Sequence, residues 1–114
     1  MRYSYECELK FMISHFKDDN GTVVAYDYQS FKRDLYAGFK ASGLNYFIAV
    51  PIKEVIEGYE YDAELIIVYC SEMLEQVFVK EFQDICCNYS KVLGISTFYY
   101  IQNGVLVLLE IGGD

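Results

Sequence analysis

Residues Thr97–Glu110 read TFYYIQNGVLVLLE, and this stretch decides the fold. Asn103 and Gly104 stand between two apolar runs and predict a two-residue type I′ turn, because both residues tolerate a positive φ. That turn fixes the register of the hairpin. Both faces of the hairpin are apolar at its centre, so each face needs a cover. One of these faces carries Tyr99, Ile101, Leu106 and Leu108.

The first half of the chain predicts two strands and a helix. Apolar side chains alternate with polar ones from Tyr3 to Ser14, which is typical of a strand with one buried face. A turn at Asp18–Gly21 then leads into a second strand, Thr22–Tyr26. Asp27 is expected to cap a helix with a stripe of apolar residues, and Gly43 to end it. The stripe is Tyr28, Phe31, Leu35 and Phe39.

The middle of the chain predicts two more strands and a second helix. The strands are Leu44–Ile52, with Pro51 indicating an edge, and Tyr59–Cys70, separated by a turn over Lys53–Gly58. The end of the second strand, Leu65–Val68, is apolar on both sides, so we expect it to be covered on both faces. Ser71 is expected to cap a helix whose apolar face is Leu74, Phe78, Phe82, Ile85 and Tyr89.

The predicted order is β-β-α-β-β-α-β-β within one domain, residues 1–114. Strands joined mainly by hairpins indicate an α+β fold, with a mainly antiparallel sheet of about six strands and two helices on one face. The 54% apolar content excludes disorder. A net charge of −8 argues against direct binding to nucleic acid or to an anionic membrane. Without a signal peptide, the sequence favours a cytoplasmic protein with four reduced cysteines.

Negative charge is concentrated in one part of the chain. Seven acidic residues and no Lys or Arg lie between Glu54 and Val79. They form either a solvated surface that keeps the protein soluble or a patch that binds a basic protein partner. The candidate patch consists of Glu54, Glu57, Glu60, Asp62, Glu64, Glu72 and Glu75.

The terminal hairpin is the second candidate surface. If no loop or helix covers the face that carries Tyr99, Ile101, Leu106 and Leu108, that face resembles the core of a protein interface and predicts a homodimer.

Catalytic motifs are few in this sequence. Cys70 precedes a predicted helix, where a thiol can be activated, but nearby acids oppose this and His15 lies in another element. A buried, inert thiol is favoured, and no cofactor or metal site is expected. The sequence therefore predicts a non-catalytic protein of the immunity or phage-inhibitor type, which blocks a basic, nucleic-acid-handling partner. The alternative is a homodimeric scaffold or a small-ligand module.

Overall fold

The structure is a computed structural model that describes residues 5–14, 25–93 and 97–111. These residues form five strands and two helices. In chain order the elements are β1 (Cys7–Ser14), α1 (Ala25–Ala41), β2 (Ile48–Ile56), β3 (Tyr59–Cys70), α2 (Glu72–Leu93), β4 (Thr97–Gln102) and β5 (Val105–Glu110).

The five strands form one antiparallel sheet in the order β2-β3-β1-β4-β5. The predicted α+β class is confirmed, with five strands in place of six. Of the predicted strand Thr22–Tyr26, the last two residues belong instead to helix α1, which begins at Ala25, two residues before the expected cap at Asp27. The rest of that segment, with the turn expected at Asp18–Gly21, lies outside the described residues.

Both helices pack on the same face of the sheet, and aromatic rings fill the space between. Phe11 of β1 lies at the centre, with ring centroids 4.7 Å from Phe82 of α2 and 5.5 Å from Phe39 of α1. The alternation along β1 places its apolar side chains in this core, as predicted. The helical stripe of α1 is also buried there. The buried members are Cys7, Leu9, Phe11 and Ile13 of β1, and Tyr28, Phe31, Leu35 and Phe39 of α1.

Residues with a positive backbone φ angle form the two hairpin turns. Asn103 and Gly104 have φ values of 51° and 81°, and β4 and β5 pair in the predicted register. The β2–β3 hairpin turns at Glu57 and Gly58, with φ values of 52° and 83°. Strand β2 therefore spans Ile48–Ile56, which is the predicted length of nine residues but lies four residues further along the chain than the predicted Leu44–Ile52. Its position at the sheet edge agrees with Pro51.

The face of the sheet opposite the helices is named here the open face. The expectation that Leu65–Val68 is covered on both sides is wrong for this face. Ile66 and Val68 are fully buried beneath the helices, whereas Leu65 and Ile67 point to the open face and are half-buried. The reason is that both helices lie on the other side. No helix among the described residues is long and apolar enough to cross a membrane.

Candidate functional site

A cavity of about 530 Å³ lies where β3 extends past the start of β2. The last β2–β3 pair is Ile48 with Ile67, but β3 continues along β1 to Cys70. Residues 43–47, which connect α1 to β2, line the cavity and are not part of the sheet. Among the described residues, no strand pairs with this part of the β3 edge. The unpaired edge leaves room for a ligand beside backbone polar groups.

Three tyrosines form the walls of this cavity, which is named here the tyrosine pocket. Tyr5, Tyr46 and Tyr69 are 63%, 75% and 41% exposed, so their rings are not used to fill the core. The Tyr5 and Tyr69 rings lie 6.1 Å apart, centroid to centroid. The complete lining is Tyr5, Glu6, Gly43, Leu44, Asn45, Tyr46, Phe47, Ile67, Tyr69, Cys70, Ser71, Leu74 and Phe78.

The polar side chains of the tyrosine pocket are Glu6, Asn45 and Ser71. The Glu6 carboxylate accepts a hydrogen bond of 3.3 Å from the backbone N–H of Glu72, at the start of α2. This contact holds the carboxylate at the pocket wall. A single carboxylate beside exposed aromatic rings suits a ligand that combines a flat ring system with a positive charge.

Cys70 also lines the tyrosine pocket, but its thiol is not activated. Burial raises the pKa of Cys70, and the negative charge of Glu75 raises it further. Glu75 likewise accepts a hydrogen bond from Cys7 and raises the pKa of that thiol to about 11. Cys70 is therefore protonated at neutral pH, as expected for an inert buried thiol. His15 lies outside the described residues.

Glu64, a member of the predicted acidic patch, accepts hydrogen bonds from three side chains of α1. It points toward α1, where the hydroxyl of Tyr28 donates to it at 2.7 Å and the ammonium of Lys32 lies 3.0 Å away. Tyr36 donates a third hydrogen bond at 3.3 Å. Burial alone would raise the pKa of Glu64, but these hydrogen bonds and the Lys32 charge outweigh it and lower the pKa. Glu64 thus joins α1 to the sheet and is not presented to a partner.

The structure does not bring the seven acidic residues together into one patch. Glu54 lies on the open face, opposite to Glu64, and accepts hydrogen bonds from Ser14 and Tyr99. A second group lies near the β2–β3 turn, where Asp62 is paired with Lys53. A third group lies at the start of α2, at the far end of β3, roughly 35–40 Å from the turn. The second group is Glu57, Glu60 and Asp62, and the third is Glu72 and Glu75.

The four hairpin residues do share the open face. Ile101 pairs with Leu106 and Tyr99 pairs with Leu108. Leu106 and Leu108 are 59% and 61% exposed. The hydroxyl of Tyr99 donates to Glu54 at 3.0 Å; partial burial, together with this carboxylate, raises the pKa of Tyr99 to about 12. Among the described residues, no three His, Cys, Asp or Glu side chains are grouped as a metal site.

Comparison with known proteins gives matches in structure and none in sequence. No family model matches the chain, and no curated protein matches it. Two solved structures do. One, in its apo state, has a TM-score of 0.60 and 13% identity, covering 100% of this chain and 95% of the other. The second was solved in complex with S-methyl-5′-thioadenosine; its TM-score is 0.56 and its identity 15%, with 99% and 95% covered. Both are phage SAM lyases.

At this level of identity, the likeness to the phage SAM lyases shows a shared fold. It also contradicts the expectation of a non-catalytic inhibitor of a basic partner, because both neighbours are enzymes along nearly the whole chain. The sequence indicates no enzyme because it contains neither an activated side chain nor a metal motif. Tyr5, Tyr46 and Tyr69 come from three separate segments, so no local pattern predicts that they line one pocket with exposed rings.

Proposed function

We propose that this chain is a lyase that cleaves S-adenosylmethionine (SAM) in the tyrosine pocket. The observation that supports this most is the end-to-end correspondence with two phage SAM lyases, one of which holds S-methyl-5′-thioadenosine. That nucleoside is what remains of SAM when the bond between sulfur and the γ-carbon of its methionine part breaks. Substrate and product therefore share the adenosine that the pocket has to hold.

The tyrosine pocket matches SAM in size and in chemistry. Its volume of about 530 Å³ is in the range of ordinary small-ligand sites. Adenine is flat and stacks on rings such as those of Tyr5 and Tyr69. The sulfonium and the ammonium of SAM are cations, which aromatic faces and the Glu6 carboxylate attract. The net charge of −8 favours the approach of a cationic substrate.

The reaction needs no nucleophile from the protein. When the S–Cγ bond breaks, its electron pair stays on sulfur, and the sulfonium becomes the neutral thioether of S-methyl-5′-thioadenosine. A carboxylate oxygen of the same SAM molecule bonds to the γ-carbon and closes a lactone, which keeps the ammonium. No water is consumed. The role of the pocket is to hold the substrate in the folded conformation that brings this oxygen to the γ-carbon.

This mechanism agrees with the state of the cysteines. Cys70 is buried in the pocket wall with a raised pKa, so it does not compete as a nucleophile. All four cysteines are free thiols. We place the reaction in the cytoplasm, because reduced cysteines are typical of that compartment.

The test is to incubate the purified chain with SAM and to follow S-methyl-5′-thioadenosine by chromatography. In H₂¹⁸O, we expect no label in the four-carbon product when it is analysed at once, because its ring oxygen comes from the substrate. Glu6→Gln and Tyr69→Ala should lower kcat/KM at least tenfold. Glu8→Gln is the matched control, since Glu8 lies two residues further along and does not line the pocket.

The possible results distinguish whether the chain cleaves SAM from whether it does so in the tyrosine pocket. Absence of nucleoside product at millimolar SAM would reject the proposed function. Product formation that both pocket variants leave unchanged would keep the activity but remove the tyrosine pocket as its site. Immediate incorporation of ¹⁸O would indicate hydrolysis and reject the lyase reaction.

A further inference from the structure

Two cysteines face each other across neighbouring strands inside the sheet. Cys7, the first residue of β1, pairs with Cys70, the last residue of β3. Both side chains point toward the helices and are buried. The other two cysteines, Cys86 and Cys87, both lie on α2. Among the four thiols of the chain, only those of Cys7 and Cys70 are cross-strand neighbours.

The backbone determines how far apart these two residues lie. The N–H of Glu8 donates to the side-chain oxygen of Asn103, and the C=O of Glu8 accepts from the backbone N–H of Asn103, each at 2.9 Å. The backbone groups of the preceding residue, Cys7, therefore point the other way, toward β3. This makes Cys7 and Cys70 a hydrogen-bonded pair, whose Cα atoms are about 5.5 Å apart. Disulfides join Cα atoms that are about 4.4–6.8 Å apart.

Only a small movement is needed for the two sulfur atoms to bond. The Cβ atoms of facing residues are about 4.5–5.5 Å apart, compared with about 3.8 Å in a disulfide. Cys7 and Cys70 form the last pair of the β1–β3 ladder, so β1 and β3 end here. The two strand ends can therefore approach each other by about 1 Å without a change in register.

Cys70 gives this dithiol contact with small reagents, because it lines the tyrosine pocket. Glu75 of α2 acts on both thiols. Its hydrogen bond to Cys7 raises the pKa of that thiol, and burial together with the Glu75 charge raises the pKa of Cys70. Since the thiolate is the reactive species, the two cysteines stay reduced until an oxidant that is small enough for the pocket accumulates.

We propose that Cys7 and Cys70 form a reversible disulfide when hydrogen peroxide enters the tyrosine pocket. The Cys70 sulfur loses its proton and attacks one peroxide oxygen; the O–O bond breaks, the second oxygen leaves as water, and Cys70 becomes a sulfenic acid. The Cys7 sulfur then bonds to the Cys70 sulfur, and the hydroxyl group leaves as water with the Cys7 proton. Two thiols lose two electrons, and one hydrogen peroxide is reduced to two waters.

The disulfide joins the two segments that form one wall of the tyrosine pocket. Glu6 directly precedes Cys7, Tyr69 directly precedes Cys70, and both side chains line the pocket. A covalent bond between the strand ends fixes Glu6 relative to Tyr69, whether or not a ligand is bound. The dithiol therefore makes the pocket wall sensitive to peroxide.

The test uses Cys87→Ser as its background, because Cys87 is the exposed cysteine and would link one molecule to another. The reduced protein is treated with millimolar hydrogen peroxide, denatured in the presence of iodoacetamide and digested, and its peptides are mapped by mass spectrometry. Cys86→Ala is the matched control, since Cys86 is also buried but lies on α2. Cys7→Ala removes one member of the dithiol.

We expect a pair of linked peptides that contains Cys7 and Cys70, lacks the mass of two hydrogen atoms, and separates on treatment with dithiothreitol. Cys86→Ala should leave its yield unchanged. Cys7→Ala should abolish it and leave Cys70 as a sulfenic acid that dimedone traps. The proposal is overturned if iodoacetamide still alkylates Cys7 and Cys70 in full after the peroxide, or if Cys7 is linked to Cys86 in equal yield.

The mapped peptides decide the question even if Cys7→Ala fails to fold, since they come from a chain that keeps both cysteines. Circular dichroism before and after the peroxide checks that this chain stays folded. Because SAM is absent, the result is independent of the proposed activity.

Discussion

Removal of the Glu64 carboxylate by Glu64→Ala tests the contact between α1 and the sheet. The side chain of Glu64 accepts hydrogen bonds from Tyr28, Lys32 and Tyr36, all of which belong to α1. The variant removes the acceptor that these three donors share. It therefore measures the loss of the three hydrogen bonds together with the loss of the ion pair.

The magnitude follows from how deeply each donor is buried. Tyr28 is only 3% exposed, so the loss of its hydrogen bond to Glu64 costs about 1–3 kcal/mol. The Lys32 side chain is 22% exposed and can be rehydrated, which limits its loss to about 1 kcal/mol, far below that of a fully buried pair. The longer Tyr36 contact adds little. The sum is about 2–4 kcal/mol, which corresponds to a fall in Tm of roughly 10–20 °C for a domain of this size.

The assay is urea and thermal unfolding at pH 7, followed by circular dichroism. Glu60→Ala is the control, because Glu60 is exposed and lies on the same face of the same strand. We expect this control to change the free energy of unfolding by less than about 0.5 kcal/mol. If Glu64→Ala costs no more than Glu60→Ala, then Glu64 does not join the helix to the sheet, and the reasoning is refuted.

The stabilisation by Glu64 should also depend on pH. Its pKa in the folded chain is lowered below the ordinary 4.5, so the unfolded chain takes up the proton first as the pH falls. The stabilisation is complete above about pH 5 and is lost as the pH falls through the lowered pKa. The difference in unfolding free energy between the natural chain and Glu64→Gln should therefore shrink between pH 5 and pH 3. A constant difference over that interval would contradict the assignment.

Two further predictions concern the thiols and the terminal turn. Iodoacetamide at pH 8 should label Cys87, the exposed cysteine, well before the three buried ones, since burial raises the pKa of Cys70 and Cys86 and blocks access to both. Equal labelling rates by mass spectrometry would contradict the burial of these thiols. Gly104→Ala should destabilise the chain by about 1–2 kcal/mol in urea, because φ at this position is 81° and alanine is strained there. An unchanged midpoint would show that the turn accommodates a side chain.

Local patterns were sufficient to predict most of the fold. The Asn103–Gly104 turn fixes its own register, and the alternation along β1 needs no knowledge of distant residues. The α1 stripe follows from a spacing of three and four residues. In α2 the same spacing predicts Phe78 and Phe82, but Leu74 is 40% exposed, and Val79 and Cys86 are buried as well. The sequence predicts that the β2–β3 turn starts at Lys53, because Lys53 and Glu54 resemble turn residues. The positive φ values show that the chain reverses at Glu57 and Gly58.

Contacts between distant segments were the part that the sequence could not reveal. The acidic run between Glu54 and Glu75 is continuous in the sequence, but the 12 residues of strand β3 separate its two ends, and the pairing of β2 with β3 places Glu54 and Glu64 on opposite faces. The tyrosine pocket depends on Tyr5, Tyr46 and Tyr69, which meet only when the sheet has formed. The proposed reaction takes both its nucleophile and its leaving group from the substrate, and it therefore requires no nucleophile motif in the chain.

The order of the strands has a consequence for synthesis on the ribosome. Strand β1 lies at the centre of the sheet between β3 and β4, although it is made first. The edge of β1 that faces β3 stays unpaired until β3 has been translated. The edge that faces β4 stays unpaired until β4 follows. Translation that stops after α2 would leave the β4 side of β1 open, in a segment rich in apolar side chains. Such truncated products should aggregate or be degraded, whereas the full chain closes its central strand within one molecule.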